Sequence, residues 1–137
     1  MNDGPMFAVA MLALLSASNP AFSQDLPELL RKGTVGFLGA SGTPAKVEVL
    51  GDRLIVELAP AQPPRIEIPI RQVQCDGFEN SEHFFIKCYS GNCMIMTKDS
   101  MRFQTEIQMF KMPANLSAVA AEACRKLQNS LGGVITK

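Results

Sequence analysis

Four cysteines, Cys75, Cys88, Cys93 and Cys124, restrict the folds open to this chain of 137 residues more than any other feature. In a protein exported to an oxidising compartment, an even number of cysteines indicates disulfides. A zinc site is the alternative, but zinc ligands usually come as two pairs with spacings of about two to four residues, which this chain lacks. The cysteines therefore favour a small fold held by two disulfides.

The segment between Cys88 and Cys93 suggests how the cysteines pair. It reads Tyr-Ser-Gly-Asn, of which Ser-Gly-Asn is typical of turns, and it separates two strand-like runs at residues 83–88 and 93–98. We predict a β-hairpin with a Cys88–Cys93 disulfide across it, which leaves Cys75 to pair with Cys124. Other pairings and a free thiol remain open at this point.

Residues 6–15 form an uncharged apolar run that is too short for a membrane-spanning helix, which needs roughly 17–25 residues, but typical of a signal peptide. Small residues Ala21 and Ser23 follow, so we predict cleavage after Ser23, with a cut after Ser18 as the alternative. The residues before the run include Asp3 and no Lys or Arg, which is atypical, and a buried helix or an uncleaved anchor is the competing interpretation. We predict export to the periplasm or the cell exterior, with residues 24–137 as one mature domain.

Composition excludes several classes of function. The 13 basic and 13 acidic residues balance, so the chain lacks the basic excess of a nucleic-acid binder. Hydrophobic residues make up 47% of the chain, which indicates a globular protein rather than a disordered one. The length suits one domain of about 100–200 residues. No second apolar run of membrane-spanning length follows residue 23, so we predict no membrane span after cleavage.

Alternation of apolar and polar residues predicts a series of short strands after a short helix at residues 25–32. From Leu116 to Leu131 the apolar spacing becomes helical, with Asn115 as the predicted N-cap. The sequence therefore predicts an α+β fold, a mainly antiparallel β-sheet or small barrel of about seven short strands closed by a C-terminal amphipathic helix. The predicted strands cover residues 34–38, 45–50, 53–58, 65–70, 83–88, 93–98 and 103–110. Gly51-Asp52 is predicted to form a two-residue hairpin turn between the second and third of them.

The order of these elements resembles that of pleckstrin-homology-like barrels, which have seven strands followed by a C-terminal helix. The resemblance covers residues 33–131 and implies a barrel with the helix over one face or opening. It rests on element order without a sequence motif, so it implies nothing about function.

The predicted cysteine hairpin places Phe85, Met94 and Met96 on one face and Ile86 and Ile95 on the other. Both faces carry large apolar side chains, whereas an ordinary half-exposed strand pair is polar on one side. Either the protein's own helix or N-terminal segment covers the second face, or Phe85, Met94 and Met96 form a binding patch. Such a patch would take a protein, a peptide or a small apolar ligand.

The sequence contains no recognisable catalytic motif, and His83 is its only histidine. We therefore predict a non-catalytic protein without a cofactor. Met94 and Met96 with His83 could bind Cu(I), and the three carboxylates in residues 76–82 could bind Ca²⁺, although the spacing is not that of a calcium loop. The sequence favours an exported binding or accessory module; a periplasmic copper-binding protein, or a small hydrolase whose acids meet only in the fold, is the alternative.

Overall fold

The computed structural model describes residues 25–37, 40–59, 64–113 and 115–135, so the predicted signal peptide lies outside the described residues. Two helices, α1 (Leu26–Leu30) and α2 (Ser117–Ser130), flank the strands, and Ile70–Gln72 forms one turn of 3-10 helix. The predicted α+β, mostly β, class is confirmed, with nine strands rather than about seven among the described residues. The strands are β1 (Thr34–Phe37), β2 (Ala40–Leu50), β3 (Arg53–Ala59), β4 (Arg65–Pro69), β5 (Val73–Gly77), β6 (His83–Cys88), β7 (Met94–Lys98), β8 (Met101–Thr105) and β9 (Ile107–Lys111).

All nine strands belong to one sheet with the order β5-β6-β9-β1-β2-β3-β4-β7-β8, and every neighbouring pair is antiparallel. The β2–β3 hairpin forms at the predicted Gly51-Asp52 turn, with Leu50 opposite Arg53. In this order β5 and β8 are the two edge strands, so the pairing describes an open sheet. Closure into a barrel, and the pleckstrin-homology-like order, stay predictions.

The sheet is strongly curled, because the chain passes directly between strands that are far apart in the sheet order. β8 is at one edge, β9 is third from the other edge, and Glu106 alone separates them in the sequence. In a flat sheet these strands would be roughly 29 Å apart at about 4.8 Å per strand. Thr105 and Ile107 can be separated by no more than about 7 Å. The two halves of the sheet must therefore fold toward each other around a common core.

The predicted cysteine hairpin is wrong, because β6 and β7 do not pair. β6 lies between β5 and β9, whereas β7 lies between β4 and β8. Asp99 and Ser100, with φ values of 52° and 70°, form the tight two-residue turn that makes β8 the hairpin partner of β7. The Cys88–Cys93 disulfide is nevertheless formed, and it ties the end of β6 to the residue before β7, at the passage from one half of the sheet to the other.

The predicted strand at residues 103–110 is divided at Glu106, where the side chains also change faces. Thr105 is 8% exposed and faces the interior, but so does Phe110, five residues later. Alternation without a break would place Thr105, Ile107 and Met109 on one face, whereas Ile107 and Met109 are half-buried on the outer face. The residue inserted at the corner shifts the period of two by one position, as a bulge does.

Helix α2 packs on the inner face of β5 and β6, and its buried face agrees only in part with the predicted apolar stripe. Of that stripe, Ala120 is fully buried, whereas the other members are only partly buried: Leu116, Ala123, Leu127 and Leu131. The N-cap position is Leu116, without a side-chain cap, rather than Asn115. Neither described helix is long and apolar enough to cross a membrane. The fully buried positions of α2 are Ser117, Ala120, Ala121, Cys124 and Gln128.

Candidate binding surface

The edge strand β5 is fastened to helix α2 by a disulfide. Cys75 and Cys124 are bonded, with their Cα atoms 6.1 Å apart, which confirms the predicted pairing. At the end of the strand, a Cβ on Gly77 would overlap the main-chain carbonyl of Ser117, so glycine is required for this close approach. The Ser117 hydroxyl accepts a hydrogen bond from the Phe78 N–H and donates one to the His83 carbonyl. The start of α2 therefore lies directly on this edge.

Side chains of α2 also satisfy backbone groups along the β5 edge. The buried Gln128 amide donates to the carbonyls of Ile70 and Val73, at 2.9 and 2.6 Å. Arg125 donates to the carbonyl of Cys75 at 3.1 Å. Carbonyls that another strand could use are thus already hydrogen-bonded, and the helix blocks sheet extension on this side.

The opposite edge strand, β8, has no such cover among the described residues. In a hairpin with a two-residue turn, the two residues that flank the turn, here Lys98 and Met101, exchange both backbone hydrogen bonds. Beyond them, non-hydrogen-bonded and hydrogen-bonded residue pairs alternate along the two strands. Arg102 and Gln104 consequently form the non-hydrogen-bonded pairs, with Thr97 and Ile95. Their N–H and C=O groups point away from β7 in the plane of the sheet, so the free edge of β8 presents two donors and two acceptors to an incoming strand.

The side chains of β8 add an apolar surface to these backbone groups. Residues 101–104 are all exposed, including Met101 at 67% and Phe103 at 37%. A groove of about 180 Å³, lined by Ile95, Arg102, Phe103 and Gln104, runs beside them. Arg102 forms no ion pair with any described residue, whereas Arg65 on β4 bonds Glu67 at 2.7 Å. We define the β8 edge as Met101, Arg102, Phe103 and Gln104.

The predicted binding patch of Phe85, Met94 and Met96 does not exist as a surface. Met94 and Met96 are fully buried in the core, on the inner face of β7, while Phe85 is half-buried beside the fully buried Phe84 and thus on the outer face of β6. The prediction failed because it assumed that β6 and β7 pair. Pairing would have put the three side chains on one face, and the actual topology separates them.

Phe85 instead has outer-face neighbours on β9. It is directly opposite Met109, and Ile107 is opposite Lys87 on the same pair of strands. The His83 ring stacks near Phe85, with the ring centroids 6.4 Å apart. Lys87 and Lys111 on this face form ion pairs with Asp76 and Glu82, at 3.4 and 3.6 Å. This face is a half-buried apolar strip bordered by paired charges.

The structure brings neither predicted set of metal ligands together. Met94 and Met96 lie in the core, and His83 is exposed on the outer face of β6, so the three do not converge on a copper ion. In the acidic segment considered as a calcium site, residues 76–82, the carboxylates of Asp76 and Glu82 form ion pairs with lysines on β6 and β9. Within the described ranges, no group of three or more His, Cys, Asp or Glu residues is placed to hold a metal ion.

The sequence did not predict the β8 edge, because the turn that joins β7 to β8 was not recognised. Asp99-Ser100 lies between two apolar-alternating runs and is the signal that could have identified it. The edge position of β8 could not have been read locally, since it depends on which distant strands β7 and β9 pair with.

Comparison of the chain with models of protein families, with curated proteins and with solved structures found no match. The function must therefore be argued from the geometry of the chain. In that geometry, the β8 edge combines outward backbone groups, exposed apolar side chains and a cation that pairs with no described acid.

Proposed function

We propose that the protein is an exported, non-catalytic binding module that recognises an extended polypeptide segment by adding it as a further strand beside β8. The observation that carries this proposal is the outward direction of the Arg102 and Gln104 backbone groups next to the exposed Met101 and Phe103. Strand addition is a recurrent mode of peptide recognition, in which main-chain hydrogen bonds give affinity and alternate side chains give specificity.

The side chains of the β8 edge indicate the chemistry of the segment. Met101 and Phe103 share one face, so residues of the segment on that face would be apolar. Arg102 is on the other face, beside the groove, where an Asp or Glu of the segment would pair with it. The favoured segment is extended, alternates apolar and polar residues, and carries an acidic residue on its polar face.

Export is part of the proposal and is supported by the two disulfides, Cys75–Cys124 and Cys88–Cys93. Disulfides form and persist in oxidising compartments such as the periplasm and the cell exterior. A strand-addition site would serve an exported protein there as an adaptor for unfolded or extended segments of other proteins. An intact mass of residues 24–137 from the exported fraction, with four hydrogens missing, would support this part.

The test of the binding function uses a displayed library of random heptapeptides selected on the oxidised protein. Gln104→Pro removes the outward N–H of residue 104 while leaving the hydrogen bonds to β7 intact, because proline is tolerated on the free side of an edge strand. Gln104→Ala is the matched control. We expect Gln104→Pro to weaken binding of the selected peptides by up to about tenfold, which corresponds to the loss of one well-placed hydrogen bond, and Gln104→Ala to change it little.

Amide chemical shifts recorded with the selected peptides locate the site independently. The proposal predicts that the largest changes occur in β8 and β7. Two other surfaces are competing outcomes that would contradict it. One is the outer-face strip around Phe85 and Met109, and the other is an open groove of about 330 Å³ at the start of α2. The second groove is lined by Glu79, Asn80, Asn115, Ala118 and Val119.

A further inference from the structure

We propose that, when no other segment is bound, two copies of the chain pair with each other through β8, as antiparallel strands related by a two-fold axis at Phe103. This inference rests on the proposed function, because it uses the same free edge. It goes further in naming a second copy as an occupant that competes with the bound segment. The register in which β8 can pair with a second β8 strand supports this dimer.

Only residues with outward backbone groups can form the hydrogen-bonded pairs between two β8 strands, and these are Arg102 and Gln104. A register with Arg102 opposite Arg102 of the second copy places like charges against each other. A register with Gln104 opposite Gln104 of the second copy would pair Arg102 with Glu106 of that copy. The Glu106 carbonyl already accepts a hydrogen bond from the Cys88 N–H at 2.8 Å. The remaining register pairs Arg102 with Gln104 twice, giving four hydrogen bonds without a charge conflict.

The side chains fit this register. Phe103 would lie opposite Phe103 of the second copy as a non-hydrogen-bonded pair, in which Cα atoms are about 4.5 Å apart and side chains are closest. Aromatic pairs in this position are stabilising. Met101 would lie opposite Thr105, and both are uncharged. Two exposed apolar side chains per copy would thereby be covered.

The charge balance of the chain permits this association. Residues 24–137 carry 13 basic and 12 acidic residues, because Asp3 is the one charged residue removed with residues 1–23, so the net charge that would drive two copies apart is small. The contact is limited to a strand of five residues, which places it at the small end of protein interfaces. The dimer is therefore weak and concentration-dependent, and it releases the β8 edge on dilution or when a better-matched segment competes.

A charge-swap experiment tests the register. Sedimentation equilibrium of the oxidised protein gives the dimer dissociation constant for the wild type, Gln104→Lys, Arg102→Glu and the double variant. With Gln104→Lys, the introduced lysine of each copy lies opposite Arg102 of the other copy, so the two-fold axis creates two like-charge pairs. We therefore expect the dimer dissociation constant to increase by about tenfold or more. In the double variant the introduced glutamate faces the introduced lysine twice, and we expect the dimer to recover to wild-type affinity or better. Arg102→Glu alone leaves the introduced glutamate against neutral Gln104 and should change the constant by only a few-fold.

Asn129→Lys on the exposed side of α2 is the matched control, since it adds the same charge as Gln104→Lys at a distance from β8. It should leave the dimer unchanged. A wild type that stays monomeric at millimolar concentration would overturn the self-pairing, as would a dimer that Gln104→Lys does not weaken or the double variant does not restore. These results are separate from the binding function, which fails if the selected peptides do not require the Gln104 N–H or if they bind at another surface.

Discussion

The two edge strands of the sheet differ in how far the rest of the chain covers them. β5 is bonded to α2 through Cys75–Cys124, and its carbonyls at Val73 and Cys75 accept hydrogen bonds from Gln128 and Arg125. β8 carries exposed Met101 and Phe103 and turns backbone donors and acceptors outward. Proteins generally protect sheet edges from pairing with other chains by covering, charging or distorting them. The covered edge contributes to stability, and the open edge of the same sheet is where we propose that a partner strand is added.

Removal of the disulfide at the covered edge should have the largest effect. The Cys75→Ala/Cys124→Ala variant loses a bridge between residues 49 positions apart, and the chain-entropy model gives a loss of about 4 kcal/mol in the free energy of unfolding. The control, Cys88→Ala/Cys93→Ala, loses a bridge across 5 positions, for which we expect about 2 kcal/mol. Urea unfolding of both variants measures the difference, and equal losses would contradict the special role of the β5 edge.

Replacement of Gln128 should have the next largest effect. Gln128→Leu leaves the carbonyls of Ile70 and Val73 without their donor, and because the site is buried we expect a loss of about 1–3 kcal/mol. Arg125→Ala is the comparison on the same helix; its bond to the Cys75 carbonyl comes from an exposed side chain, so we expect about 1 kcal/mol or less. If the two substitutions lower the free energy of unfolding equally, burial of the Gln128 contacts is not the reason why β5 is held against α2.

Substitution at the open edge should affect stability least and binding most. Because Met101 is 67% exposed, Met101→Ser should change the unfolding free energy by about 1 kcal/mol or less. Phe103 is 37% exposed, and because the rest of its side chain is covered, Phe103→Ser should lower the unfolding free energy by about 1–2 kcal/mol. Both variants should lose binding of the selected peptides, whereas Phe85→Ser, on the outer face of β6, should retain it. A binding loss in Phe85→Ser equal to that in Phe103→Ser would move the site to the other surface.

The sequence predicted those features that depend on local pattern. The C-terminal helix follows from its periodicity, the β2–β3 turn from Gly51-Asp52, and the disulfide pairing from cysteine spacing. The pairing was predicted correctly from a wrong hairpin. Cys88 and Cys93 are close because the chain between them is short, and that closeness does not require β6 and β7 to be neighbours in the sheet.

The features that the sequence did not predict depend on distant pairing. Alternation shows that Met94 and Met96 share a face, but the partner strands β4 and β8 decide that this face is the core. The same limitation applies to Glu106, where one inserted residue reverses the faces of the following strand. The open edge was not predictable for this reason, since β8 is an edge only because no other described strand continues the order beyond it.

Amide hydrogen exchange at individual residues of β8 distinguishes an open edge from a covered one. In dilute protein we expect Phe103, whose N–H bonds to β7, to be protected, while Arg102 and Gln104 on either side exchange as fast as exposed loops. Addition of a selected peptide should protect Arg102 and Gln104 and leave the β5 edge unchanged. Protection of Arg102 and Gln104 equal to that of Phe103 in the dilute, peptide-free protein would contradict the open edge.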